Sequence, residues 1–365
     1  MRVLTLTYPL TAVSADACGG TEQVAWQVLT RLARQPGIEL HWIGAAGSAP
    51  IAGVRFRSWE ALLARWQLWR APPKYWSPED LLDLQARCNA AVVREVQAAP
   101  PDVVHNQGGF FGRDAAVVAM PVLFTLHLAR RLYPADWFEA RPRQLHLQCV
   151  SATQLAEYGA AACCGAIPNG VDLERLPARR AAPPPGAPLV YLGRICEEKA
   201  PHRAIEVARR AHRRLWIVGS VAPFPSHQTY FRGRIAPELG RQVRWLAPPQ
   251  AARKLEILHR AAAVVIPSAI AETSSLVAME AAACGVPVLA MRQGALAELI
   301  RPGVTGWLAD SAQELAAAVP DAVAADPHAC RAHAQAYFSA SRMAAAYAAL
   351  YRRLLDETGH AKLAA

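Results

Sequence analysis

The chain has 365 residues, 53% of them hydrophobic and 19% charged, which excludes a disordered chain and leaves room for two domains with full cores. No apolar stretch reaches the length of a membrane span without a charge or a break, and the eight cysteines show neither a disulfide framework nor zinc-ligand spacing. The formal net charge of +10 comes mainly from arginines spread over the whole chain without a basic–aromatic RNA-binding signature, so no nucleic-acid partner is expected. An anionic ligand or an anionic membrane surface accounts for the charge equally well.

The start, "MRVLTLTYPL", reads as a first strand and not as a signal peptide, which places the protein in the cytoplasm, at most peripheral to the membrane. Gly19-Gly20 follow, and then a helix with Ala25, Val28, Leu29 and Leu32 on one stripe. Such a turn admits a phosphate or substrate to the helix N-terminus, or simply punctuates the chain. Further strands are expected at "ELHWIGA", "DVVHNQ", "PVLFTLHL" and "LHLQCVS", with Ser151 and Gln154 as a capping box for the next helix. Residues 56–82 hold Trp59, Trp66, Trp69 and Trp76 among arginines and prolines; packing inside the first domain is the preferred reading, an acceptor wall or membrane contact the alternative. Arg130 and Arg131, near Tyr133 and Trp137, read as an anion site or a solvated face, and His105 and Asn106 as structural.

The proline-rich stretch 177–188 reads as the connector between domains. A second series of strands begins beyond it: "PLVYLGRI", "RLWIVGS", "QVRWLAP", "AAVVIPS", "VPVLAM" and "TGWLAD", with Ser311 and Glu314 as a further capping box. The chain then runs to an amphipathic helix whose Met343, Tyr347, Leu350 and Leu354 share a face. Strands alternating with helices define an α/β protein of two doubly wound, Rossmann-like domains facing a cleft. We place the first at residues 1–170 together with the helix 341–358, and the second at 171–340.

Three stretches carry chemistry. In "VYLGRICEEKAPHRAIEV", Arg194 follows a strand end and Lys199 lies near a helix start; two cations there can neutralise a diphosphate, or stand as a pair of solvated surface charges. In "AETSSLVAMEAAACGVPVLAM", a helix capped by Ser274 would put Leu276, Glu280 and Ala283 on one interior stripe. A carboxylate buried there needs hydrogen-bond donors, which the hydroxyls of a ribose would supply. Glu272, just ahead of that helix, sits beside free N–H groups where a sugar or phosphate would dock. A nicotinamide-dependent dehydrogenase is not indicated, since no G-x-G-x-x-G follows the first strand.

The stretches "LGRICEEKA", "VRWLAPPQAARKLEILHRAAAVVIPS", "ETSSLVAMEAAACGVPVLA" and "GALAELIRPGVTGWLAD" together resemble the retaining GT-B glycosyltransferases of glycosyltransferase family four. "GGTEQ", "PDVVHNQ", "VLFTLH", "CVSATQ" and "IPNGVD" extend the resemblance over nearly the whole chain. It implies that Arg194 and Lys199 bind the donor diphosphate, that Glu280 holds the ribose and that Glu272 contacts the transferred sugar. It further implies that backbone N–H groups of Thr273, Ser274, Ser275 and Leu276 touch sugar and phosphate, and that Gly219 and Leu246 flank the base. His127, at the end of the fourth predicted strand, would sit by the reacting face of the sugar, Gly20 would lie near the phosphate and acceptor, and the final helix would cross back to the first domain. The implied enzyme is a metal-independent hexosyltransferase without a cofactor, working by front-face attack in which the leaving phosphate takes the acceptor proton. By family frequency its donor is a UDP-hexose such as UDP-glucose; a GDP-mannose-dependent transferase and a nucleotide-sugar epimerase of the same fold are the alternatives. Three positions depart from the family pattern: Ala200 stands where glycine is usual, Thr273-Ser274-Ser275 replace a glycine-phenylalanine-glycine loop, and "HLAR" follows the histidine.

Overall fold

The computed structural model describes residues 1–359 apart from 18, 74, 75, 109, 110, 160, 161 and 250. It divides into two units: Met1–Val150, Leu155–Pro168 and Ala340–Ala365 form the first, and Ser151–Gln154 with Asn169–Ser339 the second.

The first unit holds β1 (Arg2–Leu6), β2 (Glu39–Gly44), β3 (Val54–Ser58), β4 (Val103–Asn106), β5 (Val122–Leu126), β6 (Leu145–Cys149) and β7 (Cys163–Ala166). They form one parallel sheet in the order β3-β2-β1-β4-β5-β6-β7. Strand order reverses between β1 and β4, the switch point at which doubly wound sheets bind ligands. The central strands are continuous apolar runs because helices cover both faces, and β5 is buried along its whole length. The two edge strands, β3 and β7, lie outside the five that the sequence indicates. "VRFRS" carries two arginines, of which Arg55 is exposed, and "CCGA" is short; an edge strand needs no apolar run. His127 therefore follows the fifth strand of the chain, not the fourth.

The last helix, Ala340–Thr358, belongs to this first unit. Its predicted stripe of Met343, Tyr347, Leu350 and Leu354 is buried. It also brings two tyrosine hydroxyls into the sheet: Tyr351 Oη lies 2.6 Å from His105 Nδ1, His105 Nε2 lies 2.8 Å from Thr125 Oγ1, and Thr125 Oγ1 lies 3.2 Å from Tyr347 Oη. Burial pushes the His105 pKa down to about 3, so the ring is neutral and uses one nitrogen as donor and the other as acceptor.

The tryptophan segment is mixed. Trp59 is buried on the short helix Trp59–Arg65, its Nε1 donating to Thr7 O at 2.8 Å, while Trp69 is exposed. Beyond it runs the 21-residue helix Pro78–Ala98, opened by a capping box between Ser77 and Asp80.

The second unit holds β8 (Leu189–Leu192), β9 (Leu215–Val218), β10 (Val243–Leu246), β11 (Ala263–Ile266), β12 (Val288–Met291) and β13 (Gly306–Ala309). This parallel sheet has the order β10-β9-β8-β11-β12-β13, reversing between β8 and β11. All six strands coincide with those read from the sequence. Ser151 and Ser311 cap as expected, accepting from Gln154 N at 3.1 Å and Glu314 N at 3.2 Å. The stretch 177–188 corrects the reading of a connector, because it lies inside the second unit. Arg179 is buried there: its backbone N–H donates to Cys284 O at 2.9 Å and its Nη1 to Ala261 O at 2.9 Å. Prolines and polar residues signalled irregular backbone correctly, but hydrogen bonds to the unit's own core hold that backbone down. No helix among the described residues is long and apolar enough to cross a membrane.

Candidate functional site

Of the polar residues singled out in the second half, Arg194 and Lys199 lie beyond the C-terminal end of β8, Glu272 beyond that of β11, and Glu280 in the helix that follows Glu272. The loop after β8 carries Arg194 and Lys199 and is tied to the loop after β11 by Ala269 N donating to Glu198 O at 2.8 Å. That second loop carries Glu272, whose backbone pairs with Gly294 after β12, Ala295 N donating to Glu272 O at 2.7 Å. Gly294 has φ +55°, and a Cβ there would lie 2.4 Å from Glu272 O, so only glycine permits the loops to close on each other.

Within this frame Lys199 Nζ donates to both oxygens of Glu272, each at 2.6 Å, and Ser268 Oγ donates to Glu272 Oε1. Glu272 is 9% exposed and Lys199 25%, so the pair is mostly removed from water. Arg194 is the contrast. Its side chain is 54% exposed and its nearest carboxylate, Glu198, is 3.9 Å away. Its backbone is fixed instead, because Tyr191 Oη donates to Arg194 O at 2.6 Å.

The helix after Glu272 runs Leu276–Ala283. Its cap is Ser275 and not Ser274, a correction of one residue. Ser275 has the extended backbone of a capping residue, φ −141°, and its Oγ accepts from Ala278 N at 3.3 Å. Ser274 Oγ is buried and has no hydrogen-bond partner among the described residues. The expected burial of Glu280 holds, at 6% exposed, because the helix is apolar and covered on all sides. In the structure its hydrogen-bond donor is Lys254 Nζ, 2.5 Å from Oε1 and supplied by the helix Ala251–Arg260.

Gly219 and Leu246 lie at the ends of β9 and β10 and meet directly, Gly219 N donating to Leu246 O at 3.1 Å. A Cβ on Gly219 would fall 1.8 Å from Gly193 O, so glycine is required where the ends of β8 and β9 approach. Trp245 closes the same corner, its Nε1 donating to Gly219 O at 2.9 Å.

His127 and Gly20 belong to the first unit. Gly20 opens the helix Gly20–Leu32, which no side chain caps. His127 is neutral near pH 7 because desolvation pushes its pKa down to about 4. The backbone beside it is held by two tyrosines: Leu128 N donates to Tyr133 Oη at 2.9 Å, and Tyr158 Oη donates to Leu128 O. Arg130 lies over the Phe138 ring, 4.7 Å from its centroid, so packing and not solvation alone accounts for this cation.

Ser268, Lys254 and Gly294 escaped the sequence reading. For Lys254 a signal existed: the chain has only four lysines among 39 basic residues, and two of the four sit on the two buried carboxylates.

Two Rossmann-like units, with paired carboxylates and cations at the ligand-binding edge of the second, define a GT-B fold. Residues 187–324, all within the second unit, match the family model of glycosyl transferases group 1. A D-inositol 3-phosphate glycosyltransferase of Mycolicibacterium paratuberculosis is 36% identical over 207 residues, covering 52% of this chain and 47% of the relative. The chain thus spans about half, or less, of the length of the first curated relatives it matches. Among solved structures, sucrose-phosphate synthase from Thermosynechococcus elongatus superposes with a TM-score of 0.75 at 20% identity, covering 98% of this chain and 100% of the other. HepE of Anabaena in complex with UDP-glucose superposes at 0.66 and 17% identity, covering 97% and 100%.

Proposed function

We propose that the protein is a retaining, metal-independent hexosyltransferase that moves a sugar from a nucleoside-diphosphate donor, a UDP-hexose such as UDP-glucose, to an acceptor hydroxyl. The observation that carries this reading is the pair of buried carboxylates, Glu272 and Glu280, beside cations at the C-terminal edge of the second sheet. Burying a carboxylate has a cost that hydrogen-bond donors must offset. The complex of HepE with UDP-glucose supports the choice of donor, and the family resemblance supports retention and independence of metal.

In this reading Arg194 is the guanidinium free to take up the diphosphate, being half exposed and only loosely paired. Lys199 fixes Glu272 and contributes its charge to the same region. The developing charge on the leaving diphosphate is met by Arg194, Lys199 and the helix N-terminus at Leu276, a preorganised electrostatic arrangement. Ser274 Oγ offers a further hydrogen bond to sugar or phosphate. His127, being neutral, acts as a hydrogen-bonding group and not as a cation.

A thermal-shift panel against UDP, GDP, ADP and their common sugars, with EDTA present, tests the reading. A ligand at about 100 times its dissociation constant adds about 2.7 kcal/mol of stability. A shift confined to one nucleotide series identifies the donor, and no shift from any of them overturns the donor site. Glu280→Ala weakens donor binding, whereas Arg194→Ala chiefly lowers turnover; unchanged donor affinity in the first variant would remove the ribose assignment.

A further inference from the structure

Glu280 is not left open for a ligand by both of its oxygens. Oε1 accepts from Lys254 Nζ at 2.5 Å, and Oε2 has no hydrogen-bond partner among the described residues. Both side chains are largely covered, 22% exposed for Lys254 and 8% for Glu280. The lysine comes from the helix Ala251–Arg260, which follows β10 and therefore the corner formed by Gly219 and Leu246. The residue choice is informative in itself. A chain that meets nearly all its needs for positive charge with arginine uses lysine at this point, and here the ammonium holds one carboxylate oxygen, whereas Lys199 holds both oxygens of Glu272.

We propose that Lys254 is a positioning residue of the ribose subsite: it holds Oε1 of Glu280 so that Oε2 accepts from the ribose hydroxyls of the donor, and it thereby sets the preference for ribo- over 2′-deoxyribonucleotides. The inference rests on the donor reading above. It deepens that reading by naming a residue that acts through Glu280 without itself contacting the nucleotide. A carboxylate with one oxygen tied is a directional acceptor, whereas an untethered one rotates and loses orientation when it meets the hydroxyl.

Calorimetric titration of the full chain with UDP, GDP and ADP, each in its ribo- and 2′-deoxyribo- form, tests the proposal in wild type, Lys254→Met and Lys254→Arg. Wild type should bind the ribonucleotide about tenfold or more tightly than its 2′-deoxy form, the range of a hydrogen bond to a charged group. In Lys254→Met that ratio should fall to within about threefold of unity, chiefly through weaker ribonucleotide binding, and Lys254→Arg should lie between the two. A purely structural lysine would weaken both forms equally and leave the ratio intact, and that result overturns the proposal. Tighter ribonucleotide binding by Lys254→Met would also overturn it, since Lys254 would then be competing with the ribose for Glu280. Binding of none of the nucleotides by wild type overturns the donor reading and this inference with it. Discrimination by wild type that persists in Lys254→Met overturns the inference alone.

A second measurement needs no variant that risks misfolding. With only four lysines in the chain, reductive 13C-methylation of wild type yields a small set of resolvable NMR signals. The Lys254 signal should move more on saturation with the ribonucleotide than with the 2′-deoxy form. Equal shifts, or none while the nucleotide binds, would contradict the proposal.

Discussion

The two units bury polar groups in opposite ways. In the second, the buried polar residues at the sheet edge are ionic pairs, Lys199 with Glu272 and Lys254 with Glu280, and each lysine keeps roughly a quarter of its side chain in contact with solvent. In the first, the buried polar residues beneath the last helix form a neutral chain of Tyr351, His105, Thr125 and Tyr347, all at most 1% exposed. The difference separates a site from a fastening. An ion pair at a strand end can exchange one partner for a polar ligand, because water and ligand reach it. A neutral network sealed on every side has no such route, so its hydrogen bonds serve to fix the helix that supplies them.

The largest expected effect breaks the ionic side of this contrast. Lys199→Met leaves Glu272 as a buried carboxylate with only the Ser268 hydroxyl. Removing one member of a buried pair costs about 3–5 kcal/mol, and the partial exposure of Lys199 places this one near the lower figure. The urea midpoint of the second unit should fall accordingly, and Lys199→Met combined with Glu272→Leu should recover most of the loss. A single variant as stable as wild type would show that water already screens the pair and that Glu272 is not held by Lys199.

The neutral side is sharpened by pH. His105 has a folded pKa of about 3, below its unfolded value of about 6.5, so the unfolded chain binds more protons between these limits. Stability of the first unit should therefore be complete above about pH 6.5 and fall as pH drops toward 3. His105 contributes up to about 1.4 kcal/mol per pH unit, and His127 adds to the slope down to about pH 4. His105→Gln should remove its share of that slope, read as hydrogen-exchange protection of the β4 and β5 amides at pH 7 and pH 5. The same slope in variant and wild type would mean that the ring is solvated. Tyr351→Phe is the milder test: it strips one partner from the buried imidazole and should cost about 1–3 kcal/mol in the first unit, leaving the second unchanged.

The same contrast explains what was legible in the sequence. Strands β8, β9 and β11 of the second sheet are apolar runs closed by Gly193, Gly219 and Pro267, and Arg194, Lys199 and Glu272 lie in the loops behind β8 and β11. Strand ends in such a sheet thus announced Arg194, Lys199, Glu272 and Glu280 by position. The partners of these residues were not legible. Ser268 and Lys254 reach the carboxylates across 4 and 26 residues of chain, and hydrogen-bond geometry is a property of packing. In the first unit β3 and β7 stayed hidden because an edge strand is shaped by its one neighbour and not by an apolar pattern. The helix Pro78–Ala98 lay behind its Ser77–Asp80 box, a signal that was present but overshadowed by the tryptophans before it.

One departure from the family pattern yields the smallest expected effect and the finest test of how the loop bearing Lys199 is built. Ala200, standing where glycine is usual, adopts the left-handed conformation with φ 48° and ψ 47°, and it is fully buried at the start of the helix Pro201–Arg210. A left-handed alanine costs about 1–2 kcal/mol, which Ala200→Gly would relieve. The substitution gives back about 0.8 kcal/mol by removing a buried methyl and about 0.5–1 kcal/mol through the greater freedom of glycine in the unfolded chain. These terms nearly cancel, so Ala200→Gly should change stability by less than about 0.5 kcal/mol. Ala200→Val should cost well over 2 kcal/mol, because a β-branched residue combines the strained backbone with overpacking. If Ala200→Gly instead gains more than about 1 kcal/mol, the strain in the loop bearing Lys199 exceeds what its backbone angles imply. Lys199 would then be held on Glu272 at the expense of the backbone that follows it.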